Sequence, residues 1–273
     1  MTSSTWNFMD PASKDHLLGV IREEMDETFA LVSDPERWEA PTACEGWEVR
    51  DVVGHLVDTT EEYLRGWEAA RAGESGPEPL GLPAMAANVD RGAKELRDVP
   101  QGQLIERLRH AADQTMAIFE ETSDEDWTGF MVPHLYMGPL PVMFYPAFQL
   151  VDYAVHSWDI REGMGVPHQL SGDAADFLVP VIFILWQYTT DTSQVTEAHS
   201  IGVRVSGNNG GDTRLDISPD GVQFGPGDLS DCEAVLEFDP ATFVLTGYAR
   251  MNGGTARGDR DAAAGLRRII FPI

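Results

Sequence analysis

The spacing of apolar residues changes once along this chain, near residue 165, and that change constrains the fold more than any other feature. Before it, the spacing is helical. Val52, Val53, Leu56, Leu64 and Trp67 share one face of a helix opening at Val49, with the three- and four-residue recurrence of an amphipathic helix. Phe144, Phe148, Val151, Val155 and Trp158 form a stripe in a second segment, from about Val142 to Gly163. Weaker patterns of the same period cover about Lys14 to Val32 and Leu104 to Glu121, and a short one lies near Ala84 to Leu96. Breaker-rich links separate them: residues 73–83 hold several glycines and prolines, and residues 132–141 hold three prolines. Four long amphipathic helices joined in this way predict a bundle.

Beyond residue 165, Phe177 to Tyr188 still reads as a helix, and then the period drops to two. Ile201, Val203 and Val205 alternate within residues 199–206, as in a half-buried strand. The glycine and asparagine cluster from Gly207 to Gly211 follows, and Thr213 to Ile217 repeats the alternation, which predicts a hairpin. Gly221 to Phe224 and Ala234 to Phe238 are expected to be further short strands. Asp239–Pro240 is an N-cap with proline at the first helical position, opening a helix expected to reach about Arg250, and a final helix is expected over about Asp261 to Ile270. The fold class is therefore α+β: an N-terminal four-helix bundle over residues 1–168, then a small α/β domain over residues 169–273.

Composition narrows the partners. A formal net charge of −26 repels phosphate backbones and anionic headgroups, so neither nucleic acid nor a membrane surface is expected as a partner. The two cysteines, Cys44 and Cys232, have no CxxC spacing and suit a reducing cytoplasm. The opening stretch MTSSTWNFMDPASKDH lacks the basic region and apolar core of a secretory leader. The longest apolar run, Phe177 to Trp186, is interrupted by Pro180 and is too short to span a bilayer. A cytoplasmic protein acting on a small molecule is the expectation.

Asp152 and His156 are four residues apart, so they share one side of their helix. At about 100° per residue they fall beside the apolar stripe, in a row continued toward the N-terminus by Gln149 and Tyr145. His55 flanks the stripe of the earlier helix. Two imidazoles and a carboxylate facing one cleft would make three ligands with positions open for water or substrate, as in a catalytic zinc site. Spacing fixes a shared face but not a third ligand, and an Asp–His pair on a helix flank is usually a solvated hydrogen bond.

The residues around these positions add a resemblance. Thr42, Cys44, Gly46, Trp47, Val49, Arg50, Asp51, His55 and Leu56 match the pattern T-x-C-x-G-W-x-V-R-D-L-x-x-H-L, which opens the second helix of mycothiol-dependent maleylpyruvate isomerase-like proteins of the DinB/YfiT-like superfamily. Asp152, His156, Trp158 and Asp159 resemble its second signature, a carboxylate ahead of a His-x-Trp-Asp core. The C-terminal third resembles a sterol-carrier-protein-2-like domain, with residues 238–243 and 254–259 fitting its closing helix–strand–helix.

The resemblance implies a zinc-type divalent metal on His55, Asp152 and His156, with Asp152 standing where the family usually has Glu. It implies that the metal holds a low-molecular-weight thiol of the mycothiol type, a co-substrate, as its thiolate. That thiolate serves isomerisation or S-transfer on a small electrophile. Tyr145, Gln149, His134 and Tyr136 are the expected pocket residues, Tyr145 among the catalytic ones. Arg250 is expected to hold a substrate carboxylate bidentately, its alternative being a favourable charge at a helix C-terminus. Asp159 is expected either to orient an imidazole or to be a charge in the last helical turn. Cys44 is expected to be a buried thiol packed at a helix start. Two other functions stay open, a metalloenzyme that uses no thiol and a non-enzymatic carrier of a small apolar ligand.

Overall fold

The computed structural model describes residues 6–270, so the first five residues of the opening stretch lie outside the described residues. The chain forms two compact units, Met1–Leu170 and Ser171–Ile273. No described helix is long and apolar enough to cross a membrane.

In the first unit the long helices are α1 (Lys14–Val32), α2 (Val49–Arg71), α5 (Gln101–Glu121) and α7 (Phe144–Gly163). Helix α1 packs on α5 and α7, and α2 packs on α5 and α7 as well. At α2, the Asp51 carboxylate accepts the Glu48 N–H at 2.8 Å, satisfying a donor the helix itself leaves unpaired. Leu17, Ile21, Phe29, Leu56, Leu104 and Leu108 form part of the resulting core, each worth about 1.5–3 kcal/mol when fully removed from water.

Two expectations for this unit are corrected, and one short helix is new. The pattern near residues 84–96 is two helices, α3 (Leu82–Asn88) and α4 (Arg91–Leu96), divided at Val89–Asp90. Helix α4 lies so close to α2 that a Cβ on Gly92 would stand 2.6 Å from the Gly54 carbonyl oxygen. A short helix, α6 (Asp124–Gly129), follows α5. The proline-bearing link after it is a hairpin, β1 (Met131–His134) paired antiparallel with β2 (Gly138–Pro141). Pro133 stands opposite Pro139 in its register, and two residues without N–H groups disguise the ladder in the sequence.

Helix α7 departs most from its predicted face. Phe144, Phe148 and Val151 on the apolar stripe are only half-buried, whereas Tyr145, Gln149, Asp152 and His156 are buried. The helix is covered by α1 and α2 together, so the row read as a flank faces protein.

The second unit opens with α8 (Gly172–Tyr188), whose N-cap Ser171 accepts the Ala174 N–H. Its sheet has the order β5 (Gly221–Pro226), β4 (Gly211–Ser218), β3 (His199–Val205), β6 (Ala234–Phe238), β7 (Thr255–Gly258). Strands β3 and β6 run parallel, with Val203 opposite Leu236, and the other neighbours are antiparallel. Helices α9 (Pro240–Gly247) and α10 (Arg260–Ile269) complete it. The Asp239 side chain caps α9 by accepting the Thr242 N–H at 3.0 Å. That helix ends before Arg250, contrary to expectation: Ala249 turns left-handed at φ 57°, and the Arg250 N–H donates back to the Leu245 carbonyl at 2.8 Å.

Candidate metal centre

The loop before α2 builds one wall of the site. The Thr42 N–H donates to the Trp47 carbonyl and the Trp47 N–H to the Cys44 carbonyl, both at 3.0 Å, and Gly46 takes the left-handed φ of 77° that this turn needs. The loop is pinned to the end of α7, where the Ala43 N–H donates to the Asp159 carbonyl at 2.9 Å. Contact there is so close that a Cβ on Gly163 would lie 2.3 Å from the Pro41 carbonyl oxygen. Trp47 is thereby laid across two imidazoles, its ring 5.3 Å from that of His55 and 6.1 Å from that of His156.

Helices α2 and α7 supply the donors. One ligand-type atom each from His55, Asp152 and His156 lies within 4.8 Å of the others, and all three residues are buried. The two imidazole rings meet edge to face at 5.0 Å. His55 Nδ1 donates to the Val89 carbonyl at 3.1 Å, and His156 Nδ1 donates to Asp159 Oδ2 at 2.9 Å. A carbonyl or carboxylate oxygen there only accepts, so each ring carries a proton on Nδ1, leaving Nε2 as the nitrogen that can take an ion. Thr59, one turn after His55, places its hydroxyl 3.5 Å from Asp152 Oδ2.

Burial pushes the Asp152 carboxyl up to about 7, against the opposing pull of His156 and the Thr59 hydroxyl. Burial works to lower His156 as well, but its hydrogen bonds to Asp159 and Cys44 win and raise it to about 10. A divalent ion held between them would favour the Asp152 carboxylate and displace the second proton of the His156 ring, so its binding would release protons. Two imidazoles with fixed tautomers and one carboxylate are a donor set that fits zinc.

Asp159 is wholly buried rather than a charge at a solvated helix end. The expectation for Cys44 is corrected too: its thiol is half-buried, donates to Asp159 Oδ2 at 3.1 Å and lies 4.0 Å from His156 Nδ1. It therefore belongs to the site's surroundings. The sequence reading gave Trp47 no role beyond its place in the first signature, and it passed over Thr59 and the Val89 carbonyl. For Thr59 a signal existed, since it follows His55 by four residues.

The other expected residues make contacts of their own. Gln149 is fully buried and donates to the Thr60 hydroxyl at 3.3 Å. Tyr145 donates to the Val132 carbonyl at 2.9 Å, with the Pro133 carbonyl at 3.1 Å, and burial raises its hydroxyl's pKa. His134 packs on Tyr63, Tyr145 and Phe148. Its Nδ1 accepts the N–H groups of Tyr136 and Met137, each at 3.2 Å, so its proton is on Nε2. Burial, opposed by Glu62, lowers His134 to about 4 and keeps it neutral. Tyr136 stands on the same hairpin turn, its ring 6.2 Å from His134. Arg250 is in the second unit, where its Nη1 donates to the Tyr248 carbonyl at 3.2 Å.

Fold and site together define a helical protein with a candidate His–Asp–His centre, joined in one chain to an α/β unit. The model of the mycothiol maleylpyruvate isomerase N-terminal domain matches residues 18–161, and the chain belongs to that family. The crystal structure of the mycothiol-dependent maleylpyruvate isomerase is similar at 17% identity, with 92% of this chain and 95% of that one covered and a TM-score of 0.62. The histidine-to-alanine mutant of that enzyme is similar to the same extent. This chain therefore shares their mixed helix-and-sheet fold. No curated protein sequence matches it significantly.

Proposed function

We propose that this chain is a metal-dependent enzyme that uses a low-molecular-weight thiol, of the mycothiol type, to isomerise a small electrophilic substrate or transfer sulfur to it. The observation that carries this reading is the convergence of His55, Asp152 and His156 within 4.8 Å, both imidazoles holding their protons on Nδ1. These three residues would hold the ion, zinc in this reading. A bound divalent ion lowers a thiol's pKa and so supplies a nucleophile at neutral pH.

The chain's own groups do the rest. Trp47 shields the imidazoles from water, and Asp159 and the Val89 carbonyl orient them. His134 offers a neutral Nε2–H to a substrate or thiol oxygen, Tyr136 lines the same turn, and Gln149 supplies polarity behind the donors. Tyr145 acts through His134, by tying the hairpin that carries it to α7. Arg250 keeps the assignment its sequence context implies, a bidentate partner for a substrate carboxylate. The second unit, read as sterol-carrier-like, completes the enzyme. Elemental analysis, followed by turnover of a maleylpyruvate-like substrate with and without mycothiol, tests the proposal. Metal-free protein as isolated, with no thiol-dependent turnover after zinc is added, refutes it.

One observation favours the carrier reading for the second unit taken alone. A pocket of about 500 Å³, lined by Trp186, Leu236, Phe238, Met251, Leu266 and Ile270 among others, has the size and apolar lining of a small-ligand site. The Trp186 Nε1–H is buried there with no acceptor among the described residues. Displacement of an apolar fluorescent probe by candidate ligands, with no turnover under any thiol condition, would favour carriage over catalysis.

A further inference from the structure

The imidazole of His156 has two ring nitrogens, and the chain surrounds both with metal-ligand chemistry. His55 and Asp152 each place a donor atom within 4.8 Å of one of them, and Nε2 is the nitrogen not already bonded to Asp159. Around Nδ1 stand Cys44 Sγ at 4.0 Å and Asp159 Oδ2 at 2.9 Å, themselves 3.1 Å apart. One donor atom from each of Cys44, His156 and Asp159 lies within 4.8 Å of the others. Ligands at 2.0–2.3 Å from a tetrahedral ion stand roughly 3.3–3.7 Å from one another, so this triangle reaches ligand spacing through side-chain shifts of about half an ångström. The two sets differ in character. His–Asp–His is a borderline nitrogen and oxygen set, whereas the second contains a thiol, which selects soft ions such as zinc, cadmium or copper(I). Asp159 is wholly buried and Cys44 half-buried, so an ion would enter from the Cys44 side, where water can fill its fourth position.

We propose that Cys44, His156 Nδ1 and Asp159 form a second, thiophilic metal site that shares the His156 ring with the first. The exchange balances: one divalent ion enters, and the Cys44 S–H and His156 Nδ1–H protons leave to solvent, so sulfur and nitrogen each bind with the pair they release. With both sites filled, His156 bridges two ions as an imidazolate. The second ion then ends the hydrogen bond from Nδ1 to Asp159, and its charge, on the far nitrogen of the same ring, repels the ion on Nε2. Soft ions in excess therefore weaken the first site, making the second an inhibitory one. The proposal depends on the Cys44–Asp159 triangle and not on any thiol chemistry at the first site.

Cobalt(II) titration of metal-stripped full-length protein tests it, because a cobalt–thiolate bond gives a near-ultraviolet charge-transfer band that histidine and carboxylate ligands do not. The band is expected in the native chain and in Cys232→Ser, and its absence is expected in Cys44→Ser. It is expected to persist in His55→Ala, which disables the first set alone. On the unmutated protein, cobalt is expected to change the rate of Cys44 alkylation at fixed pH by about threefold or more, because coordination replaces the S–H with a metal-held thiolate. Absence of the band at every cobalt level, its survival in Cys44→Ser, or alkylation of Cys44 unaffected by cobalt overturns the proposal. Failure of the His–Asp–His reading would instead appear as no cobalt bound by Cys44→Ser.

Discussion

Asp159→Asn separates the charge of the group behind His156 from its shape. The asparagine amide oxygen can still accept the His156 Nδ1–H from a position 2.9 Å away, so ring orientation and tautomer survive. The negative charge is lost from a fully buried carboxylate, and with it the added basicity that a carboxylate lends to a ligating imidazole. Removing such a partner costs about tenfold to a hundredfold in metal affinity, which at about 1.4 kcal/mol per decade is roughly 1.4–2.7 kcal/mol. Asp159→Ala also frees the ring to turn and should lie at or beyond the upper end. Competition with a chromophoric chelator for zinc, at fixed pH and with circular dichroism confirming the fold, reads both values. A folded Asp159→Asn that binds zinc within twofold of the native chain would refute the reasoning that His156 ligates through Nε2 with Asp159 behind it.

Replacing His156 with Ala is expected to abolish metal binding at the His–Asp–His set with the fold intact, and full metal stoichiometry in that variant would remove the site assignment. Asp152→Glu is expected to keep the metal, elemental analysis being the check. Gly163→Ala forces a methyl against the Pro41–Thr42 backbone, an overpacking cost of about 1–3 kcal/mol that denaturant unfolding would measure. His134 is held near 4 by burial, below its unfolded value of 6.5, so its stabilising contribution is complete above pH 6.5 and disappears as pH falls through 4. The loss is on the order of 3 kcal/mol, and His134→Asn should flatten stability over that interval. Arg250→Lys is expected to raise KM for a carboxylate-bearing substrate more than it lowers kcat, because a point charge replaces a bidentate fork.

Local rules made some elements legible and misled on others. Helix α1 runs over Lys14–Val32 and strand β6 over Ala234–Phe238, as their periods predict, and Asp239 caps α9 as its sequence requires. The hairpin at Met131–Pro141 was hidden because proline removes the donors that define a strand. The face of α7 was misjudged because periodicity assumes one buried side, while packing on both α1 and α2 encloses Gln149 and Asp152 despite their polarity. The three candidate ligands were legible only through their flanking signatures, since spacing fixes a helix face and not the approach of two helices. Cys44, Thr59 and the Val89 carbonyl reach the site through tertiary contacts. A carbonyl in particular leaves no mark in the identity of its residue.

That last contact bears on how the site can vary between descendants of this sequence. His55 is oriented by main chain at Val89, a residue 43% exposed between α3 and α4. Nineteen of the twenty amino acids could replace one another there and present the same oxygen, as could the twentieth, since even proline keeps its carbonyl. Point substitution at this position is therefore nearly silent for the imidazole. Insertion or deletion between α3 and α4 is not, because it moves the oxygen itself. Variation in metal affinity among such sequences should follow the length of this short surface segment rather than its composition.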